Sequence, residues 1–549
     1  HVRAVRGHAW ADIAHDRTYK SPFKVPAPYL RRVAGLAARL EGVSGEISRI
    51  HEDLRVYGAH YGTYIEDDEA AAELDTLDLL LGLGGGRDVK LATKLGRLVN
   101  TIGEWTRAAG TLQGFAADRH RPARRELGKA LCRIHPVRSP GWLEGQGHLT
   151  YAASEPEPDL EAVIALARTH QDRGDDKEAS EVFRAAFEMD PTDPDCLRHY
   201  LEFEMYDRKT SEPARLAGPV IRTACERCRK QIEGGVNLFG AYANLAFFHL
   251  WLREPQQAFL ALVKAVEKVN AAYKLEEVHA SLSQLDRVTP GFEGYDALYR
   301  LALLGLAVRY EDAQALATLK GMASSQGGPI EGPVVILAGG TAPEVEDKVA
   351  GYGEIVLKAF EDFAGTLISG GTTAGIAGLA GDVGAARAQA RTLGYLPRGL
   401  DPFTVNVDKD RSRYRELRGT DGKDFSALEP VHYWIDILTS GIRPTDVRLV
   451  GINGGQLAGA EYRLALAMGA DVGLLQDSGR EAVRIFDDPD WQDQKKLVSV
   501  IPDAATLQVF MVPGIPWPLD GEDRDKLARV VHDNFSKKKK KELIKKNKN

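Results

Sequence analysis

The spacing of the hydrophobic positions changes near residue 330 of the chain. Before this point, apolar side chains recur every three or four residues over long segments, which is typical of amphipathic helices. After it, short apolar runs such as 334–338 and 366–369 alternate with helical segments. Short apolar strands separated by helices predict a parallel, doubly wound sheet. The pattern therefore predicts a multidomain chain that is helical first and α/β last.

The α/β segment, 331–520, contains further strand-like runs. The charged stretch 411–424 interrupts them and is predicted to be a loop. Its arginines stand beside acids, so a solvated loop is favoured over one that folds across a bound phosphate. The predicted strands are 334–338, 366–369, 392–396, 448–452, 470–475 and 497–500, and the arginines are Arg411, Arg413, Arg415 and Arg418.

Three glycine-rich turns follow predicted strands. Glycine lets the backbone approach a ligand closely, and a helix N-terminus presents N–H groups to an anion. The ligand of a doubly wound sheet lies at the carboxyl ends of its strands. We therefore predict a nucleotide site that comprises Gly339, Gly340, Thr341, Ser369, Gly370, Gly371, Thr372, Thr373, Gly375, Asn453, Gly454 and Gly455.

Two further residues are predicted to contact the ligand. Ser478 and Arg480 follow the run 470–475 and begin a predicted helix, so their polar groups are placed to meet an anion. We rank them above the arginines of 411–424, which have acidic neighbours.

The three turns, in this order, resemble those of the SLOG superfamily, whose Rossmann-like fold is shared by LOG phosphoribohydrolases, DprA and the N-terminal region of TRPM channels. The likeness is greatest to the bacterial TRPM-like branch. LOG hydrolases carry P-G-G-x-G-T-x-x-E, whose Glu corresponds here to Glu461. Asn453 replaces Pro, and Leu457 and Ala458 replace Gly-Thr. The resemblance thus implies a ligand sensor rather than a hydrolase. It leaves Glu461 either bonded to a ribose hydroxyl or exposed on a helix.

The helical part contains a repeat pattern. Residues 160–193 fit the tetratricopeptide (TPR) pattern, in which small residues let paired helices approach and Pro ends the second helix. A second unit is predicted near 239–272. These units predict either a groove for protein partners or self-association, or a spacer between domains. The residues that carry the first unit are Leu166, Ala167, Gly174, Ala179, Phe183, Ala186 and Pro191.

The N-terminal segment 1–62 has a dense polar motif, with His8-Ala9-Trp10-Ala11-Asp12, then His15-Asp16, then Tyr19-Lys20. It resembles the C-terminal half of the RelA/SpoT-type (p)ppGpp synthetase domain, with Asp12 in place of the usual Glu. The resemblance implies that His8, His15 and Lys20 face phosphate in catalysis, the alternative being structural hydrogen bonds. It also places the family's catalytic Glu and Mg²⁺-binding Asp before His1, so we expect Mg²⁺ and synthesis only in a longer native protein.

Composition and charge limit the alternatives. A net charge of −7 argues against general nucleic-acid binding. No apolar run reaches the roughly 18 residues that a membrane span needs, and no signal peptide is visible in this sequence. Four scattered cysteines indicate a reducing, cytoplasmic setting. Cys225 and Cys228 lack the two further ligands of a zinc site, so no metal site is predicted.

Domain boundaries follow from these patterns. We predict a synthetase-like α+β fragment at 1–62, a helical extension at 63–135, a linker at 136–158, TPR-like helices at 159–323, the Rossmann-like SLOG-type domain at 331–520, and a helix with a solvated Lys-rich tail at 521–549.

The expected function is nucleotide signalling in stress or phage defence. A RelA/SpoT-like (p)ppGpp synthetase would be regulated by a nucleotide bound at the SLOG-type domain. The alternatives are a non-catalytic nucleotide sensor with a TPR interaction surface, and a SLOG-type hydrolase of nucleotide N-glycosidic bonds.

Overall fold

The structure, a computed structural model, describes residues 67–83, 88–117, 119–324, 327–340, 346–400, 407 and 412–513. The segment 1–62, predicted to be part of a synthetase domain, and the tail 521–549 lie outside these residues. The described part is helical up to residue 324, and a parallel sheet with flanking helices follows. This order confirms the predicted change from a helical to a Rossmann-like α/β architecture.

Fifteen helices are described before the sheet, and neighbouring helices pack against one another. Their bounds are α1 Asp67–Leu83, α2 Val89–Thr101, α3 Trp105–Leu112, α4 Arg121–Ile134, α5 Pro140–Ala152, α6 Leu160–Arg173, α7 Asp176–Met189, α8 Pro194–Arg208, α9 Glu212–Leu216, α10 Gly218–Glu233, α11 Leu238–Trp251, α12 Pro255–Lys268, α13 Ala272–Leu285, α14 Tyr295–Arg309 and α15 Ala313–Met322.

The predicted first repeat forms the helix pair α6 and α7. Gly174 ends α6 with a left-handed φ of 76°, which favours glycine and lets the chain reverse. Ala179 and Ala186 of α7 are fully buried, and Phe183 is 2% exposed. The Phe183 ring lies 6.0 Å from that of Phe203 in α8. The small residues and the aromatic residue therefore fill the space between helices, as the pattern predicts.

The linker prediction for 136–158 is wrong in its central part, which forms helix α5. Pro140 and Gly145, two of the residues that suggested a linker, have structural roles in this helix. Ser139 caps the helix, and Pro140 occupies the first turn, where its missing N–H is tolerated. A Cβ on Gly145 of α5 would lie 3.0 Å from the backbone nitrogen of Cys132 in α4. Glycine there permits close helix packing, not a flexible connection.

The C-terminal sheet contains seven parallel strands in the order β4-β3-β2-β1-β5-β6-β7. Their bounds are β1 Val334–Gly339, β2 Gly365–Ser369, β3 Ala390–Pro397, β4 Glu416–Thr420, β5 Val447–Ile452, β6 Asp471–Leu475 and β7 Leu497–Val500. The accompanying helices are α16 Glu346–Ala350, α17 Gly353–Ala359, α18 Gly375–Ala386, α19 Leu428–Thr439, α20 Gln456–Met468, α21 Glu481–Arg484 and α22 Ala504–Phe510.

Strand β4 corrects the prediction of a loop at 411–424. It pairs in parallel with β3 at the edge of the sheet. Arg418 is 3% exposed and donates to Asp436 Oδ2 of α19 at 2.7 Å. The positive charge of Arg418, one of those that suggested a loop, is thus neutralised by a carboxylate inside the domain. Arg418 is therefore not a phosphate ligand.

Two apolar cores cover the two faces of the sheet, as the alternation of side chains along a strand requires. Along β1, Val335 and Leu337 join the core formed with α16, α17, α18 and α22. Val334 and Ile336 join the other core, which contains α19 and α20 and continues into helices α8 to α15. The helical region and one face of the sheet therefore share one continuous core.

Candidate functional site

A cavity of about 160 Å³ lies at the carboxyl ends of β1, β2 and β3. The order of the strands reverses between β1 and β5, so this is the edge at which a doubly wound sheet binds its ligand. Helices α18, α19 and α20 complete the walls. The lining residues are Leu337, Ala338, Gly339, Ser369, Gly370, Thr372, Ile376, Ala377, Tyr395, Phe425, Ser426, Glu429, Pro430, Tyr433, Leu457, Ala458 and Glu461.

Five of the predicted ligand residues line this cavity: Gly339, Ser369, Gly370, Thr372 and Glu461. Gly339 is required by sterics, because a Cβ there would lie 2.1 Å from the carbonyl oxygen of Ile452 in β5. The Ser369 hydroxyl donates to the carbonyl oxygen of Leu337 at 2.7 Å. These contacts hold β1 close to β5 and to β2 at the end of the sheet where the cavity lies.

The remaining glycine-turn residues shape the turns around the cavity without lining it. The Ile376 amide at the start of α18 donates to the Gly340 carbonyl oxygen at 3.0 Å, which joins the first turn to the second. Gly454 has a φ of 91°, as the turn before α20 requires. Gly371, Thr373, Gly375, Asn453 and Gly455 complete these turns, and Thr341 lies outside the described residues.

Ser478 and Arg480, which are predicted to contact the ligand, lie outside the cavity lining. Ser478 is fully buried, and its hydroxyl oxygen accepts the Asn453 backbone N–H at 2.9 Å. Its carbonyl oxygen accepts the Asn453 side-chain amide at 2.7 Å. Ser478 therefore fixes the turn after β5 and does not face the cavity. Arg480 precedes the short helix α21 and is not part of the cavity lining.

Glu461 lies on the cavity-facing side of α20 and is partly buried. The Tyr433 hydroxyl donates to its Oε1 at 3.4 Å. Burial raises the pKa of Glu461 to about 8; the Tyr433 hydrogen bond lowers it and the charge of Glu429 raises it. The neutral acid therefore predominates at pH 7. In this form Glu461 can donate a hydrogen bond to a ligand as well as accept one.

Glu429 is a second cavity carboxyl, which sequence analysis missed. It is 5% exposed, and its oxygens accept the Thr420 hydroxyl and, at 2.7 Å, the Ser426 backbone N–H. Burial raises the pKa of this carboxyl, whereas these hydrogen bonds lower it. The available signal was a single acid in the first turn of the apolar segment Leu428–Thr439. Burial of a carboxyl on such a helix costs free energy unless the group is hydrogen-bonded or has a functional role.

The cavity is rich in carboxyl and aromatic groups. Among the described residues that line it, none is Lys or Arg. Its volume is close to that of an engineered cavity of about 150 Å³ that holds one benzene molecule. The cavity proper therefore suits one ring-sized group bearing hydrogen-bond donors, and a phosphate would lie outside it.

Comparison with known proteins identifies one segment. Residues 160–203 match the tetratricopeptide repeat family, over α6, α7 and part of α8. The predicted first repeat is thus confirmed. No curated protein matches the chain significantly. The resemblances of 1–62 and 331–520 stay predictions.

The part of the chain that the structure describes has neither a candidate membrane span nor a candidate metal site. No helix there is long and apolar enough to cross a membrane. Likewise, within the described ranges no three His, Cys, Asp or Glu side chains are grouped so that they could hold a metal ion.

Proposed function

We propose that the C-terminal α/β domain is a nucleotide sensor whose cavity takes the ribose of its ligand. The observation that carries the proposal is a ring-sized cavity with Glu429 and Glu461 at the reversal point of a parallel sheet. Carboxyl oxygens accept hydrogen bonds from sugar hydroxyls. The Tyr395, Phe425 and Tyr433 rings supply apolar walls for the faces of a sugar or base.

The phosphates of the nucleotide would bind at the glycine turns beside the cavity. Helices α18 and α20 begin there, at Gly375 and Gln456, and their N-termini carry partial positive charge. No described residue that lines the cavity is Lys or Arg, so no cationic side chain there attracts a phosphate, and the ligand would bind with its phosphates outward.

In the wider protein, the ligand would control (p)ppGpp synthesis by the synthetase-like segment. Support for this part comes from the motif of His8, His15 and Lys20. In the synthetase family Mg²⁺ neutralises phosphate charge, and cationic side chains such as Lys20 add to that effect. The TPR-like helices would provide a surface for a protein partner or for self-association.

Hydrolysis of a nucleotide N-glycosidic bond is the second candidate. It is favoured by the neutral Glu461, which could protonate a departing base, and by a second carboxyl, Glu429, on the same cavity. Leu457 and Ala458 argue against it, because they replace the Gly-Thr that holds phosphate in LOG hydrolases.

Calorimetric titration of the full chain with AMP, NAD and ADP-ribose tests both candidates when the mixtures are then analysed for released base. A sensor gives saturable heat with at least one nucleotide and no released base. Release of base that is lost in Glu461→Gln would establish the hydrolase. Absence of heat with all three nucleotides would contradict the proposal of a nucleotide sensor.

A further inference from the structure

The cavity shares its walls with the interface between the helical region and the sheet. Helix α19 carries Glu429 and Tyr433, and α20 carries Glu461. On their other sides, α19 packs against α14 and α15, and α20 packs against α12. Each of these helices therefore contacts the candidate ligand site and the helical region at the same time.

A buried carboxylate connects the cavity to the segment that joins the two regions. Asp436 of α19 is 3% exposed. Its Oδ2 accepts the hydroxyl of the cavity residue Tyr395 and the Arg418 guanidinium, both at 2.7 Å. Its Oδ1 accepts the backbone N–H of Ser324, just after α15, at 2.8 Å. The same Arg418 donates to the Gly328 carbonyl oxygen at 2.6 Å.

The second helix is held in a comparable way. The Gln256 side chain of α12 donates to the backbone carbonyl oxygen of Gln456, in the first turn of α20, at 3.2 Å. Gln456 directly precedes the cavity residues Leu457 and Ala458. The start of α20, where the proposed phosphate site and the cavity meet, is thus bonded to the helical region.

We propose that this junction transmits ligand occupancy, with Asp436 as the positioning residue that connects Tyr395 to the Ser324 amide. Transmission of ligand occupancy rests on the proposed function, since it requires a ligand in the cavity. The mechanical coupling between the cavity and the helical region does not depend on which ligand binds. A ligand that favours one position of α19 and α20 changes the packing of α12, α14 and α15. By linkage, a partner whose affinity for the helical region is changed by the ligand must change the affinity for the ligand by the same factor.

Hydrogen exchange of the full chain measures the coupling without a ligand. Tyr395→Phe removes the hydroxyl that bonds Asp436. Tyr414→Phe is the matched control, because the buried Tyr414 also donates its hydroxyl to a cavity residue, at the carbonyl oxygen of Ala377 in α18. That helix belongs to the opposite face of the sheet. Peptides from β7, at the far edge of the sheet, report any general loss of stability.

With coupling, Tyr395→Phe speeds exchange in peptides that contain Ser324 and α15 by about tenfold, as expected for loss of one hydrogen bond to a charged group. Tyr414→Phe leaves those peptides unchanged. Unchanged exchange at Ser324 in Tyr395→Phe, or equal acceleration in both variants, would overturn the inference. Failure of the proposed nucleotide-sensor function would give a different result, namely no heat on titration with nucleotides. The hydrogen-exchange experiment would still test the junction in that case.

Discussion

Replacement of Glu461 by Gln tests the electrostatics of the cavity. The pKa of this carboxyl rises from an ordinary 4.5 to about 8, mainly because the partly buried group loses hydration in the folded protein. The folded state thus holds a proton that the unfolded chain releases between these two pH values. The associated stability is fully present below pH 4.5 and is lost as pH rises towards 8.

The magnitude follows from the two pKa values. Each pH step between them removes about 1.4 kcal/mol from the free energy of unfolding, up to a limit of about 5 kcal/mol at high pH. Gln has nearly the shape of the neutral acid and does not titrate. Glu461→Gln should therefore be more stable than the parent protein, by a margin that grows as pH rises through this window.

Urea unfolding between about pH 5 and about pH 9 measures the effect. The exposed Glu354, on α17 of the same domain, provides the control variant Glu354→Gln, which removes a surface carboxyl that does not line the cavity. A constant difference between Glu461→Gln and the parent protein across this range would refute the account of a neutral cavity acid.

Three further substitutions test the packing around the site and in the repeat. Ser478→Ala removes the acceptor of the buried Asn453 N–H and should cost about 1–3 kcal/mol, measured as a lower urea midpoint. Gly339→Ala brings a Cβ against the Ile452 carbonyl oxygen and should prevent folding of the α/β domain, seen as loss of protease-resistant sheet. Phe183→Ala should destabilise the helical region by about 3–5 kcal/mol in thermal unfolding followed by circular dichroism. Parent-like unfolding of any of these variants would contradict the contact concerned.

The order of strands and helices along the α/β domain was largely predictable from the sequence, because the central strands of the sheet are apolar on both faces. Val334 to Leu337 are all fully buried, and an uninterrupted apolar run is typical of such a strand. Strand β4 lacks that signal. Its Arg418 is buried by pairing with Asp436, a partner on a later helix that only the folded chain brings close.

The candidate site was predictable in part. The glycine turns follow strands directly in the chain, so their position at one sheet edge follows from the topology. Glu429 was missed because its place beside Glu461 depends on how α19 packs. The hydrogen bond between Ser478 and Asn453 was also missed, because the two residues are 25 positions apart in the chain. Neighbouring residues in the sequence do not show whether a polar side chain forms its hydrogen bonds within the fold or with a ligand.

A calorimetric comparison of cavity variants tests the central claim most directly. Ala458 lines the cavity, and Ala458→Leu reduces the space for a ring-sized ligand. Ala385 is exposed on α18, so Ala385→Leu is the matched control. We predict that the nucleotide giving saturable heat with the parent protein also gives it with Ala385→Leu, and that Ala458→Leu abolishes it. Equal affinity in all three proteins would contradict a ligand site in this cavity.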